Sequence, residues 1–286
     1  VVIDRVRFDK HIAEQAKKAG TRIFLDSRIT GIKNVNSKKK LRIKNARRKN
    51  ARVTETDILV GADGPKSLVS RFIGNKKPNV WVGLQASVKM QAEKNTYDVY
   101  FGKDFPGFFG WVVPENDTTA RVGIATTRNP KMVFNRFMKR FKKHRIVEMQ
   151  GGLIPMYDPK VVVEQNDNYI VGDAATQVKA TTGGGLVPGL KAAECLARAI
   201  QNRTGYKKEL KSVDKELKMS LLLRKMLDRF NEADYNRLIK TVSSEKMNKL
   251  LNKHDRDRPS RIVFKSVIKE PKLLVFAQTL FRAKRL

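Results

Sequence analysis

Val171-Gly172-Asp173-Ala174-Ala175 and, five residues further on, Thr181-Thr182-Gly183-Gly184-Gly185-Leu186 decide how this chain is read. Residues 169–171 form an apolar run that reads as a strand, and residues 188–202 carry Ala and Leu at helical spacing. A strand, a glycine-rich turn and a helix in that order offer backbone N–H groups and the positive end of a helix dipole to an anion. Glycines let the backbone approach a ligand because no Cβ intervenes. An acid at the strand end repels phosphate but accepts hydrogen bonds from the hydroxyls of a ribose or ribityl chain. The unit reads as the seat of a cofactor bearing both phosphate and polyol. A plain glycine-rich connection between strand and helix is the alternative.

Outward from this unit, the pattern divides into layers. Residues 1–3 read as a strand, residues 9–19 as a helix ended by Gly20, and residues 22–25 and 28–35 as strands. Residues 33–53 contain ten Lys or Arg and no acid, and read as a hairpin with a basic turn at 47–50. A buried strand at 57–60 runs into Gly61-Ala62-Asp63-Gly64-Pro65, and a helix starts at Ser67. Residues 80–127 alternate in short segments broken by Gly, Pro and Asn, which predicts an antiparallel sheet. Residues 130–145 read as a basic amphipathic helix with Phe134, Phe137, Met138 and Phe141 on one face. Residues 151–159 read as a loop, 161–164 as a strand, and 207–286 as nearly all helical.

Composition sets the outer bounds. The chain has 286 residues and 41% hydrophobic content, enough to bury a sizeable core. The longest apolar stretches are near ten residues, against the ~20 that a membrane-spanning helix needs. No signal peptide is read at residues 1–9. A single cysteine, Cys195, excludes an internal disulfide and fits a reducing cytosol; inside its Ala-rich helix it reads as a packed thiol. His11, His144 and His254 lack metal-ligand spacing, so no metal site is expected. The charge is +32, from 60 Lys and Arg against 28 acids. Such an excess fits an anionic partner or a basic solvated surface.

Four stretches in order carry a resemblance. The 171–186 segment, with Gln177-Val178-Lys179 between its halves, resembles the second flavin motif of the geranylgeranyl reductase family, above all the archaeal digeranylgeranylglycerophospholipid reductases. Asp4-Arg5 followed by Phe8-Asp9 is similar to the family's element after its first strand–helix unit. Leu59-Val60-Gly61-Ala62-Asp63-Gly64 resembles the Asp-Gly motif of the hydroxylase-like flavoproteins. Residues 106–114 (PGFFGWVVP) resemble the family's substrate-side motif, Tyr-x-Trp-x-Phe-Pro, and the helical tail agrees as well.

The resemblance implies a mixed α/β fold: a partial Rossmann-like FAD-binding domain (1–75 and 161–205), an antiparallel-sheet substrate domain (76–160) and a helical C-terminal region (206–286). It implies FAD as cofactor. Asp173 and Gly172 would meet the ribityl chain or pyrophosphate. Gly184, Gly185 and Leu186 would offer backbone near the flavin ring. Asp63 would belong to the same site, Arg5 would approach the phosphate or ribityl region, and Ile29 would touch the adenine. Phe109 and Trp111 would line the substrate pocket. The chain departs from the pattern where Phe109 replaces the family's Tyr and Val113 its Phe, so a hydroxyl is lost and the pocket stays apolar. No Gly-x-Gly-x-x-Gly follows a strand anywhere in the sequence. A first residue other than Met fits a fragment or a split gene; loss of flavin is the third reading.

The implied reaction is saturation of C=C bonds in geranylgeranyl chains of membrane lipid precursors. The electron donor would be a nicotinamide cofactor or ferredoxin, and no catalytic side chain is identified. A membrane-anchored substrate predicts a cytoplasmic protein, peripheral on an anionic membrane face. Residues 130–145, and 273–281 with Arg282, Lys284 and Arg285, fit interfacial segments; packing of their apolar faces into the core is the alternative. An FAD-dependent hydroxylase and a non-catalytic basic lipid- or nucleic-acid-binding remnant are the rival readings. Nucleic acid is disfavoured because the basic hairpin lacks interleaved aromatics.

Overall fold

The computed structural model describes residues 3–47, 50–93, 95–142, 144–254 and 257–281. The chain divides into two compact units, Val1–Leu59 and Val60–Leu286.

The first unit opens on a cap. The Asp4 carboxylate accepts from the amides of Val6 and Arg7 at 2.9 and 3.1 Å and starts helix α1 (Arg5–Lys18). This cap places the helix start at Arg5 rather than Asp9; Val1 and Val2 of the expected first strand lie outside the described residues. No residue of α1 is buried. Strands β1 (Ser27–Val35), β2 (Lys38–Asn45) and β3 (Arg52–Thr56) form an antiparallel sheet in that order. The basic segment therefore makes two turns, not one. The first is the tight turn at Asn36, whose φ of 55° suits an asparagine. The second includes the expected 47–50 turn, of which Arg48 and Lys49 lie outside the described residues. Residues 22–25, expected as a strand, are irregular.

The second unit holds strands β4 (Leu59–Gly61), β5 (Val80–Lys89), β6 (Asp98–Tyr100), β7 (Gly110–Asn116), β8 (Thr119–Thr126), β9 (Arg145–Pro155), β10 (Glu164–Gln165) and β11 (Asn168–Ile170). Its helices are α2 (Leu68–Phe72), α3 (Pro130–Met138), α4 (Leu186–Asn202), α5 (Tyr206–Glu209), α6 (Lys211–Leu227), α7 (Glu232–Val242), α8 (Glu245–Lys253) and α9 (Pro259–Lys269). Two 3-10 segments, Gly172–Ala175 and Pro271–Phe281, complete it.

The expected antiparallel sheet is present, in the order β6-β7-β8-β5-β9. One face packs Val88, Val122 and Ile124 against Val133, Phe134, Phe137 and Met138 of α3. Of the two readings of the phenylalanine face, interface and core, the core holds, and the helix stops at Met138. The chain from Arg145 pairs along the full length of β5, so strand pairing overrides the helical period and absorbs part of the expected 151–159 loop. The small sheet β10-β11-β4 lies beside α2 and α4. Glycine permits one close approach: a Cβ on Gly61 would sit 2.5 Å from the Val69 Cβ.

A second core joins α4, α5 and α6 through Cys195, Leu196, Tyr206, Leu210 and Leu217. Burial pushes the Cys195 thiol pKa up, with only partial opposition from Arg198. At neutral pH a thiol reagent should find no reactive cysteine in the native chain and one after denaturation. Modification of the native protein at the rate of a free thiol would contradict this packing.

Candidate flavin site

The 171–186 segment folds as strand, tight turn, glycine loop and helix. After β11 the chain turns at Gly172, whose φ of +66° disfavours any L side chain. The turn is pinned from inside. Gln177, 2% exposed, accepts the Gly172 amide at 2.7 Å and donates to the Tyr206 hydroxyl at 3.2 Å. Burial raises the Tyr206 pKa, so the phenol stays neutral as a partner. Replacing Gln177 by leucine would strand an amide and a hydroxyl in the interior. We expect a loss of about 2–4 kcal/mol, read from a denaturant midpoint, since each unsatisfied buried group costs ~1–3 kcal/mol. An unchanged midpoint would mean that water replaces the glutamine.

The glycine loop is closed on itself. Thr182 and Gly183 donate to the Lys179 carbonyl at 3.2 and 2.8 Å, and the Lys179 amide donates to the Gly184 carbonyl at 3.1 Å. Gly183 has φ +68°, and a Cβ there would lie 3.2 Å from Phe108 Cζ. A Cβ on Gly184 would lie 3.3 Å from the Lys179 side chain, and one on Gly185 would lie 2.7 Å from Asp173 Oδ1. The acid and the glycine that begins the helix are therefore close neighbours. Gly185 caps α4, Leu186 is its first residue, and no side chain caps that end. Its first amides can face an anion or the electron-rich edge of a ring.

Asp63 lies two residues past the neighbouring strand β4. The Gly61 carbonyl accepts from the Val171 amide at 3.0 Å, joining β4 to β11. The Asp63 side chain accepts the Leu68 amide at 2.7 Å, so it also organises the start of α2.

The substrate-side motif meets the loop on the sheet face opposite α3. Phe108 stacks on Phe109 at 4.3 Å, and Phe109 meets the Trp111 ring edge-on at 6.0 Å. Trp111 lies over its cross-strand partner Gly123, where a Cβ would stand 2.4 Å from the indole. Its indole N–H donates to Gln85 Oε1 at 2.9 Å. Phe109, Trp111, Asp63, Gly172, Asp173, Gly184, Gly185 and Leu186 thus share the second unit. Arg5 and Ile29 belong to the first. There Arg5 is exposed and paired with Asp9 at 3.1 Å, and Ile29 lines a hollow with Ile23, Phe24, Ile43 and Thr54.

Several residues at the site escaped the sequence reading. Ser220 of α6 accepts the Thr181 amide at 3.1 Å and shares a hydroxyl contact with Thr181 at 3.0 Å. One turn on, the Arg224 guanidinium lies 5.7 Å from the centroid of Phe108, 3% exposed and paired with Asp228 at 2.8 Å. Lys179 is ion-paired with Asp257. These partners lie 39 to 116 residues from the loop or aromatic they touch, and no spacing rule links them. Phe108, Gln177 and Lys179 were within quoted motifs, but their roles depend on burial and on distant partners. Among the described residues, no group of three or more His, Cys, Asp or Glu could hold a metal. No described helix is long and apolar enough to cross a membrane.

This architecture is that of the flavin-dependent hydroxylase-like enzymes. The chain superposes on aklavinone-11 hydroxylase, solved with FAD and aklavinone, with a TM-score of 0.56 at 16% identity, covering 79% of this chain and 47% of that one. More narrowly, it resembles prenyl reductases. A geranylgeranyl bacteriochlorophyll reductase-like protein from Thermoplasma acidophilum matches with a TM-score of 0.78 at 22% identity, over 97% of this chain and 75% of the other. The digeranylgeranylglycerophospholipid reductase of Methanothrix thermoacetophila is 29% identical over 274 residues, 87% of this chain and 70% of that protein. No family model matches the chain. The mixed fold and the resemblance to the geranylgeranyl reductases are borne out, and FAD is the cofactor bound in the aklavinone-11 hydroxylase that shares this fold.

Proposed function

We propose that this chain belongs to an FAD-dependent reductase that saturates C=C bonds in the geranylgeranyl chains of membrane lipid precursors. One observation carries the reading: the glycine loop, with Asp173 beside Gly185 and an α4 without a side-chain cap, closes on the aromatic motif, where Ala180 packs in one buried cluster with Phe108 and a Cβ on Gly183 would lie 3.2 Å from the Phe108 ring. A planar cofactor and an apolar chain would meet there. The residues fit FAD: bare backbone at Gly184 and Gly185, a carboxylate for polyol hydroxyls, and a helix N-terminus for negative charge.

When bound and reduced, FAD supplies hydride to one alkene carbon while a proton reaches the other. The chain's own work is placement. Phe109 and Trp111 hold the alkyl chain by apolar contact and exclude water, and the Gln85 bond and the Gly123 bed fix the indole. The α4 N-terminus favours negative charge on the reduced ring. Asp63, Arg5 and Ile29 complete the cofactor's contacts in this reading, with a nicotinamide cofactor or ferredoxin as electron donor. The protein works as a peripheral protein on the cytoplasmic face of an anionic membrane.

The test is direct. Purified protein should carry a flavin absorbance spectrum, and with a chemical reductant it should add two hydrogens per double bond to a geranylgeranyl lipid, read by mass spectrometry, without oxygen. Oxygen-dependent hydroxylation of the chain would replace this reading with a hydroxylase. A protein with its natural N-terminus that takes up no flavin would point to a non-catalytic basic binder.

A further inference from the structure

With the phenylalanines of α3 buried, another surface combines apolar exposure with positive charge. On α9 the positions Arg261, Phe264, Lys265 and Ile268 recur at helical spacing and form one stripe. Phe264 is 68% exposed and Ile268 64%, values unusual for side chains of this size on one helix face. Pro259 and Ser266 are the buried positions of the helix. Arg261 and Lys265 share the stripe with the exposed pair. The Lys265 amine lies 3.2 Å from His254 Nε2. His254 thus neighbours Lys265 in space and Lys253 in the chain, and burial and then Lys265, Arg261 and Lys253 hold its pKa below the ordinary imidazole value.

We infer that this face of α9 is a docking surface for an anionic lipid bilayer, with Phe264 and Ile268 entering the acyl boundary and Arg261, Lys265 and Lys253 meeting headgroup phosphates. The inference rests on the reading of a lipid substrate and gives it a place of contact. Charge selects the occupant. Two copies of the chain meeting here would oppose like charges, whereas an anionic headgroup layer neutralises them. The face is also anchored to the site. Glu216 of α6 accepts from the Ser260 amide and hydroxyl at 2.9 and 2.6 Å, and Asp257, just before α9, is ion-paired with Lys179 of the glycine loop.

The test uses the full chain and co-sedimentation with phosphatidylcholine vesicles, with and without phosphatidylglycerol. Wild type should bind only the anionic vesicles and leave them at high salt. The Arg261→Ala/Lys265→Ala pair should weaken binding about 30-fold, at the usual contribution of a juxtamembrane cation. The Phe264→Ser/Ile268→Ser pair should weaken it about 10-fold or more. Both variants should keep the wild-type melting temperature and full turnover on detergent-dispersed substrate. Either pair binding like wild type would overturn the inference. So would a wild-type dimer, seen by light scattering, that the substitutions split. Intact vesicle docking by a protein that reduces no prenyl chain would uphold the surface and sink the reductase reading, so the two failures are distinct.

Discussion

Gly185→Ala is expected to lower flavin affinity about 10- to 100-fold while leaving the fold intact. The backbone at Gly185 has φ −99° and ψ −18°, a conformation that alanine adopts freely. The cost is local. The new methyl would stand 2.7 Å from Asp173 Oδ1 and 3.2 Å from Val178 Cγ2, so the carboxylate must swing away. If that carboxylate holds polyol hydroxyls, the loss is one or two charge-assisted hydrogen bonds, each ~1.5–3 kcal/mol. Fluorescence titration with FAD, beside a thermal melt, separates affinity from stability. Asp173→Asn should weaken binding in the same direction. Wild-type affinity in both variants would remove Asp173 from the cofactor site.

The second large effect is expected at Gly123. Here the neighbour is not a flexible tip but a rigid indole, held on its far side by Gln85. Alanine would force the ring off the sheet and break its hydrogen bond. Overpacking costs ~1–3 kcal/mol and the lost bond about 1 kcal/mol, together a fall of roughly 5–10 °C in melting temperature. The displaced indole would also narrow the wall it forms with Phe109. In a Trp81→Phe background, Trp111 is the sole tryptophan and its emission reports the move. Unchanged emission and an unchanged melt would show that the sheet yields instead of the ring.

The site was legible where its chemistry is local. Gly172, Asp173 and the 183–185 glycines announce a turn, a close approach and a helix start, because those needs act on consecutive residues. The antiparallel sheet of 80–127 was legible from its period. What escaped depends on partners distant in sequence. The apolar stripe of α3 reads the same whether it faces a sheet or a bilayer, and only packing assigns it to the core. Residues 145–155 carry no strong strand signal and become β9 because β5 offers a long edge. Asp4 moved the first helix forward by one turn through a cap that an Asp-Arg dipeptide does not advertise.

The bond between Ser220 and Thr181 has a kinetic consequence. The Thr181 amide has its protecting acceptor on α6, not within its own loop. Its hydrogen exchange is then set by how often α6 lifts away, and not by loop breathing. In an exchange experiment Thr181 should fall in the same cooperative unit as the amides of α6, though 39 residues separate the pair. Helix α6 is thereby the slow clock of the glycine loop, and changes that loosen α6 would retime the loop before they unfold it.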